Sequence, residues 1–387
     1  MQLDDVTVVD FTHLLPGPYA TQLLADVGAE VWKVEPPGGD SGRELDIGET
    51  GDGSLFPLVN RGKKSLQLDL KAREAGPLLE RLFEAADVVI EQFKPGVAER
   101  LGIDYETVAE HAPDIVYCSL SGYGQDGPYS DHVGHDMNYL GHAGVLDMTR
   151  TEPDGRPIIP GVPVADMAGG LFATTCIVTA LLSRELGSES GEYIDVSMTD
   201  VSLSLAQVLA AGALFGTQQR PGETLLSGGM PCYGIYEAAD GEYLTVAAIE
   251  PHFWAALCKR LDQPELAEKH MAQDPAVRQA VREELEAAFA KREASAWLEY
   301  FGHSEIPVGR VNRFEEAISD PQIRHRGMVL DDVTPPRLGF PAASTGTVPE
   351  PTDPPPELGE HTDEILARLG FREADREELR GAGVIEP

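Results

Sequence analysis

Lysine is scarce in this chain: none occurs between Lys33 and Lys63, nor between Lys94 and Lys259. Across 387 residues, 65 Asp and Glu stand against 30 Lys and Arg, a formal net charge of -35. A chain without a basic footprint is not expected to bind nucleic acid or to dock on anionic lipid. Cysteine is equally sparse. Cys118, Cys176, Cys232 and Cys258 form no C-x-x-C pair and read as small buried apolar residues in a reducing compartment. No H-x-x-x-H or H-E-x-x-H pair occurs, so no metal is expected. The start, MQLDDVTVVDF, lacks a basic stretch followed by an apolar one, and no apolar run reaches the roughly 18 residues of a membrane span. The end, GVIEP, is no peroxisomal address, which leaves the cytoplasm as the expected location. There are no internal repeats.

What the chain does have is acid spread through every segment, together with 42% hydrophobic residues. Scattered acid suits a protein kept soluble in high salt, where screening shortens repulsion to about 3 Å at 1 M. A halophilic, archaeal origin is expected. The length and apolar content predict a sizeable core divided between two domains.

VTVVDF (6–11) is a continuous apolar strand, and PGP at 16–18 turns the chain into a helix beginning near Tyr19 and stopping at Gly28. AEVWKVEPP then returns as a second strand. This βαβ pattern predicts a parallel sheet. SLQLDL (65–70), a helix over 72–86, DVVIEQF (87–93) and DIVYCSL (114–120) extend it into a Rossmann-like α/β domain. A long helix fits 166–185, EYIDVSM reads as a strand, and SLSLAQVLAAGALFG (202–216) as one further helix. Composition shifts to Gly, Pro, Ser and Thr near 217–231, a linker. A hairpin pinned by Asp240-Gly241 and charged helical sequence follow, giving a smaller α+β domain. The proline-rich stretch 332–360 reads as an extended connection and 361–382 as a helical tail. The expected division is a large domain, 1–216 completed by 332–387, and a linker with small domain, 217–331.

SGYGQDGP holds a literal G-x-G-x-x-G at Gly122, Gly124 and Gly127 directly after a strand. Pro128 follows where a phosphate-binding helix should open, so a loop bringing backbone close to a ligand is the better reading. Arg61, Lys63 and Lys64 cluster in NRGKKSL, and Arg43 and Lys94 are isolated cations in the same domain. Such groups can gather the phosphates of a large anion, or simply offset local acids.

His135 stands in GHDMNY between Gly134 and Asp136, with Asn138 and Tyr139 just beyond. A histidine of this kind is either a structural hydrogen-bonding residue or a proton carrier. Asp166 opens the long apolar helix. A helix-capping acid there is common, and the helix dipole predicts a lowered pKa that keeps the carboxylate ionised. Glu250, in AAIEPHFW, follows an apolar strand at the start of a proline-initiated helix and reads as another first-turn acid.

These segments resemble a known family. VVDFTHLLPGPYATQLLADVGAEVWKVEPP, NRGKKSLQLDLK, EQFKPGVAERLG, SLSGYGQDGPY, PVADMAGGLFA and SGEYIDVSMTD are similar to the signatures of the family III CoA transferases, the carnitine/bile-acid group, over nearly the whole length. VGHDMNYLGHAGVL is most similar to the alpha-methylacyl-CoA racemase branch. The transferases usually carry tyrosine where His135 stands. Val162 replaces an asparagine of the racemases and is closer to the transferase pattern.

The resemblance implies an intertwined homodimer that binds CoA as part of its substrate, needs no separate cofactor, and holds the phosphates near Arg61, Lys63, Lys64 and Lys94. Arg43, Gly122, Tyr123, Gly124, Asp136 and Tyr139 are further candidates for that contact. It implies His135 and Asp166 as the two proton carriers that invert C2 of a 2-methylacyl thioester, with Glu250 orienting the imidazole across the subunit boundary. In the alternative, a transferase working on succinate or mesaconate, Asp166 attacks the thioester and passes through an anhydride.

Overall fold

The computed structural model describes residues 2–46, 55–187, 190–302, 305–331, 333, 336–345 and 353–385. The chain forms two compact units. The first comprises Met1–Ala143, Gly161–Leu205 and Pro321–Pro387, and the second Gly144–Pro160 and Ala206–Asp320. The boundaries therefore fall at 205/206 and 320/321 rather than at 216/217 and 331/332, and 144–160 belongs with the second unit. Much of the expected connection 332–360 lies outside the described residues.

In the first unit, β1 (Thr7–Asp10), α1 (Pro16–Asp26) and β2 (Glu30–Glu35) form the opening βαβ turn. They are followed by α2 (Leu55–Val59), β3 (Lys64–Gln67), α3 (Gly76–Glu84), β4 (Val88–Glu91), α4 (Val97–Leu101), α5 (Tyr105–His111) and β5 (Val116–Ser121). Next come α6 (Asp136–His142), α7 (Val164–Glu185), β6 (Glu192–Ser197) and α8 (Met198–Leu205). The six strands pair in parallel in the order β3-β2-β1-β4-β5-β6. Strands of such a sheet are covered on both faces, and β1, β4 and β5 are buried at every position. Successive connections run one way from β1 and then reverse, which opens a crevice beyond the C-terminal ends of β1 and β4.

Helix α1 begins at Pro16, three residues before Tyr19, because PGP lies inside its first turn. Gly17 is needed there: a Cβ would stand 2.3 Å from Thr12 Cβ. Helix α7 packs on the unit through small residues, and a Cβ on Gly170 would meet the Pro16 carbonyl at 2.5 Å. By length and composition α7 is apolar enough to cross a membrane, which corrects the sequence expectation. Its Gly, Ala and Thr residues hide the run from a search for strictly apolar stretches. Ala165, Gly169, Ala173 and Ile177 on α7 are buried, whereas Leu171, Phe172 and Leu182 are exposed.

The second unit contains α9 (Gln207–Leu214), β7 (Tyr233–Glu237), β8 (Tyr243–Ala247), α10 (Pro251–Arg260), α11 (Pro275–Phe289), α12 (Ala294–Phe301), β9 (Val308–Arg310) and α13 (Phe314–Ala317). The helix expected over 202–216 is two helices, parted at Ala206. β7 and β8 form the hairpin, with Gly241 at φ +78° supplying the left-handed turn residue. β9 adds a third antiparallel strand. The core centres on Trp254, Phe289 and Trp297.

The chain then returns to the first unit with α14 (Pro321–His325), the short pair β10 (Val329–Leu330) and β11 (Arg337–Leu338), α15 (Thr362–Arg368) and α16 (Glu373–Gly381). The tail docks at the edge of the sheet: His361 N–H donates to the Ser65 carbonyl at 3.0 Å, and Ile365 and Leu366 join the main core.

Candidate active site

A cavity of about 600 Å³ occupies the crevice of the first unit. Residues after β1 (His13, Leu14), after β4 (Phe93, Lys94) and after β5 (Gly122, Tyr123) line it, together with His135, Asn138, Tyr139 and Asp166. Lys94 is the one lysine or arginine among its described lining residues. A second cavity of about 530 Å³ lies beyond β1, β2 and β3 and shares His13 and Phe93 with the first.

His135 is the N-cap of α6, exposed, with extended backbone. Its N–H donates to Asn138 Oδ1 at 3.0 Å, so the asparagine three residues on closes the start of the helix. Asp136 links the two helices of the site. Its Oδ1 accepts from the backbone N–H groups of Ala165 at 2.6 Å and Asp166 at 3.2 Å, satisfying donors that α7 leaves open at its N-terminus. A carboxylate beside positive helix ends is favourable for α7, but it sets a second acid against Asp166.

Burial first, and then the charge of Asp136, push Asp166 up from the usual aspartate range to about 7. This corrects the expectation of a lowered value. Desolvation outweighs the helix dipole, because no hydrogen bond from a described residue offsets the burial of this carboxylate. A carboxyl group with a pKa near neutrality exists in both forms there and suits either direction of proton transfer.

The wall beside them is built around Tyr139. Its hydroxyl donates to the Gly134 carbonyl at 2.5 Å, and its ring meets Tyr123 edge-on at 5.2 Å between centroids. Burial and then the nearby Asp166 raise the Tyr139 pKa to about 12, so it stays a neutral donor. Gly122 packs close to this ring, where a Cβ would approach Tyr139 Cε1 to 2.4 Å. Gly124 takes φ +88°, a left-handed position suited to glycine.

The model of CoA-transferase family III matches residues 3–362. The chain belongs to that family. It is 35% identical to the alpha-methylacyl-CoA racemase of Mus musculus, over 100% of this chain and 98% of the racemase. It is 34% identical to the succinyl-CoA:glutarate CoA-transferase of Mus musculus, over 99% of this chain and 90% of that protein. With the succinyl-CoA:mesaconate CoA-transferase of Haloarcula marismortui it shares 35% identity over 95% and 96%. Among solved structures, a CaiB/BaiF family protein from Brucella suis superposes with a TM-score of 0.82 at 31% identity, over 95% and 99% of the two chains.

Within this family III chain, the predicted residues separate. His135, Asp166, Gly122, Tyr123, Tyr139 and Lys94 line one cavity. Glu250 belongs to the second unit, as the exposed N-cap of α10, and is not among the residues lining that cavity.

The cation cluster is the main correction. Arg61 is buried on Asp26, with its Nε donating to Asp26 Oδ1 at 3.0 Å. Lys63 is buried among Asp10 Oδ2 (3.2 Å), the Pro18 carbonyl (2.9 Å) and Asn60 Oδ1 (2.8 Å). Burial would raise Asp10, but Lys33 and Lys63, with Thr12 and Thr21, bring it down to about 2. Lys64 bridges Glu30 and Glu364 at the surface, and Arg43 forms a two-pronged pair with Glu35 at 2.7 Å. These side chains neutralise acids of their own fold, and of the five predicted cations Lys94 is the one among the described residues lining the cavity. Its Nζ donates to the Asp131 carbonyl at 3.1 Å.

His13 and Phe93 were not anticipated as site residues. Each follows a strand at the point where the sheet order reverses, and that position is the signal that finds them.

Proposed function

We propose that this protein inverts the C2 centre of 2-methylacyl-CoA thioesters by proton transfer through an enolate. The carrying observation is that His135 and Asp166, from the starts of two different helices, line one cavity, with Asp166 lifted to about 7. One of the two takes the α-proton and the other returns a proton to the opposite face, the roles exchanging with substrate configuration. The Asp136 N–H, in the first turn of α6, serves the enolate oxygen. Glu250 of a second copy orients the imidazole, as a carboxylate does in a hydrolase triad. The thioester brings its own CoA, and no further cofactor is required.

The CoA moiety takes the two adjoining cavities, whose volumes suit a large ligand, with Lys94 close to its phosphates. The protein acts as a homodimer, a reading supported by Leu171, Phe172 and Leu182 exposed on α7. It works in the cytoplasm at high salt, with no membrane and no nucleic acid as partner.

A transferase reading has support of its own. The glutarate and mesaconate transferases are as similar to this chain as the racemase is. Against it, a dicarboxylate acceptor needs a cation for its second carboxylate, and among the described residues lining the cavity of His135 and Asp166 the one lysine or arginine is Lys94.

The discriminating experiment incubates one enantiomer of a 2-methylacyl-CoA in D₂O with no acceptor acid. Deuterium should enter C2, and His135→Ala should abolish its entry. Unlabelled C2 with acyl exchange on adding a free carboxylate would establish the transferase instead. Full exchange in His135→Ala would remove the histidine from the mechanism.

A further inference from the structure

The glycine-rich segment SGYGQDG forms no nucleotide-binding turn, yet its Gln125 is tied down at three points. Gln125 Nε2 donates to Ser119 Oγ at 2.7 Å and to the Phe93 carbonyl at 3.0 Å. Its backbone N–H donates to Asp195 Oδ2 at 2.8 Å. Phe93 is held from its other side too, its N–H donating to Glu91 Oε2 at 2.5 Å. Glu91, the last residue of β4, and Ser119, inside β5, are both buried, so the anchors are fixed. The loop after β4 supplies Gln92, Phe93 and Lys94 to the cavity, and the loop after β5 supplies Gly122 and Tyr123. Nothing in the backbone pairing of β4 with β5 reaches those loops, since their register ends at Glu91 and Ser119. The Gln125 side chain supplies the missing bond.

We propose that Gln125 is a positioning residue that fixes the loop after β4 against the loop after β5, and so sets the wall on which the acyl-CoA is held. This rests on the acyl-CoA reading above. A glutamine serving only local stability would lower the melting temperature when replaced and would leave ligand affinity of the folded protein alone.

The test replaces Gln125 by Met, which keeps length and apolar stem and removes both N–H donors, with Gln125→Glu as a second variant that loses the Phe93 bond. Affinity for an unreactive thioether analogue of the acyl-CoA is measured beside turnover and amide exchange. Both variants should bind about tenfold more weakly, the scale of one or two lost hydrogen bonds, with kcat within about threefold. Amides at 92–94 and 122–127 should exchange faster at an unchanged melting temperature. Unchanged affinity with unchanged exchange overturns the proposal. So does a fall in melting temperature with kcat and KM lost together, since that is a plain stability effect. If the wild type does not bind the analogue, the acyl-CoA reading falls and this proposal with it.

Discussion

Replacing Asp166 by Asn should make the protein more stable by an amount that grows from about pH 4 and is complete above about pH 7. The wild-type carboxyl titrates at about 7 in the folded chain against 3.8 in its ordinary state. Between those values the folded form holds a proton that the unfolded form has lost. Stability is therefore fully present below about pH 4 and falls as pH rises through about 7. The interval of about three units at 1.36 kcal/mol each gives about 4 kcal/mol, or roughly 2–4 once partial solvent access at the cavity is allowed for. Asparagine is never charged and escapes this loss. The melting temperature of the first unit should rise by about 5–10 °C over wild type at pH 8.5, and by little at pH 4.5. Both scans need the same high salt, so that the overall charge of -35 does not dominate the comparison. Equal effects at the two pH values, or a loss at pH 8.5, would refute a strained carboxylate at this position.

Three further substitutions probe the surroundings. Arg61→Met should leave buried Asp26 without its guanidinium, held by Gln22, and lower stability by about 2–4 kcal/mol, read by denaturant titration, with acyl-CoA affinity of the folded protein unchanged. Lys94→Ala should do the reverse, shifting stability by less than about 0.5 kcal/mol while KM for the thioester rises. Gly122→Ala must displace the Tyr139 ring and should cost about 1–3 kcal/mol, seen as a lower denaturation midpoint and a changed tyrosine near-UV signal.

The sheet was legible because a doubly covered parallel strand leaves a run of apolar residues that needs no context. VTVVDF, DVVIEQF and DIVYCSL each stand out in this way. β9 was not, since Val308, Gly309 and Arg310 are too few to show a period, and only pairing with β8 makes them a strand. The parting of 202–216 at Ala206 was equally hidden, because alanine carries no breaker signal. The place of 144–160 with the second unit depends on contacts with residues far along the chain, which no local composition records.

The site was legible where residues cluster in sequence and misread where charge was taken out of its fold. GHDMNY puts a cap, a linking carboxylate and a ring within six residues, and the structure uses each: His135 and Tyr139 line the cavity, and Asp136 ties α6 to the start of α7. Arg61 and Lys63 looked available for phosphates because a cation in an acidic chain invites a ligand as its partner. Their true partners, Asp26 and Asp10, are 35 and 53 residues earlier, on α1 and β1, and meet them only when the sheet assembles. The same acid excess that made the cluster conspicuous also supplied the carboxylates that neutralise it. In a chain of this composition, a basic residue next to a buried strand is better assigned first to an internal acid. Lys94 escapes that rule by its place in the loop after β4, beyond the end of the strand, where its Nζ meets the Asp131 carbonyl at the cavity.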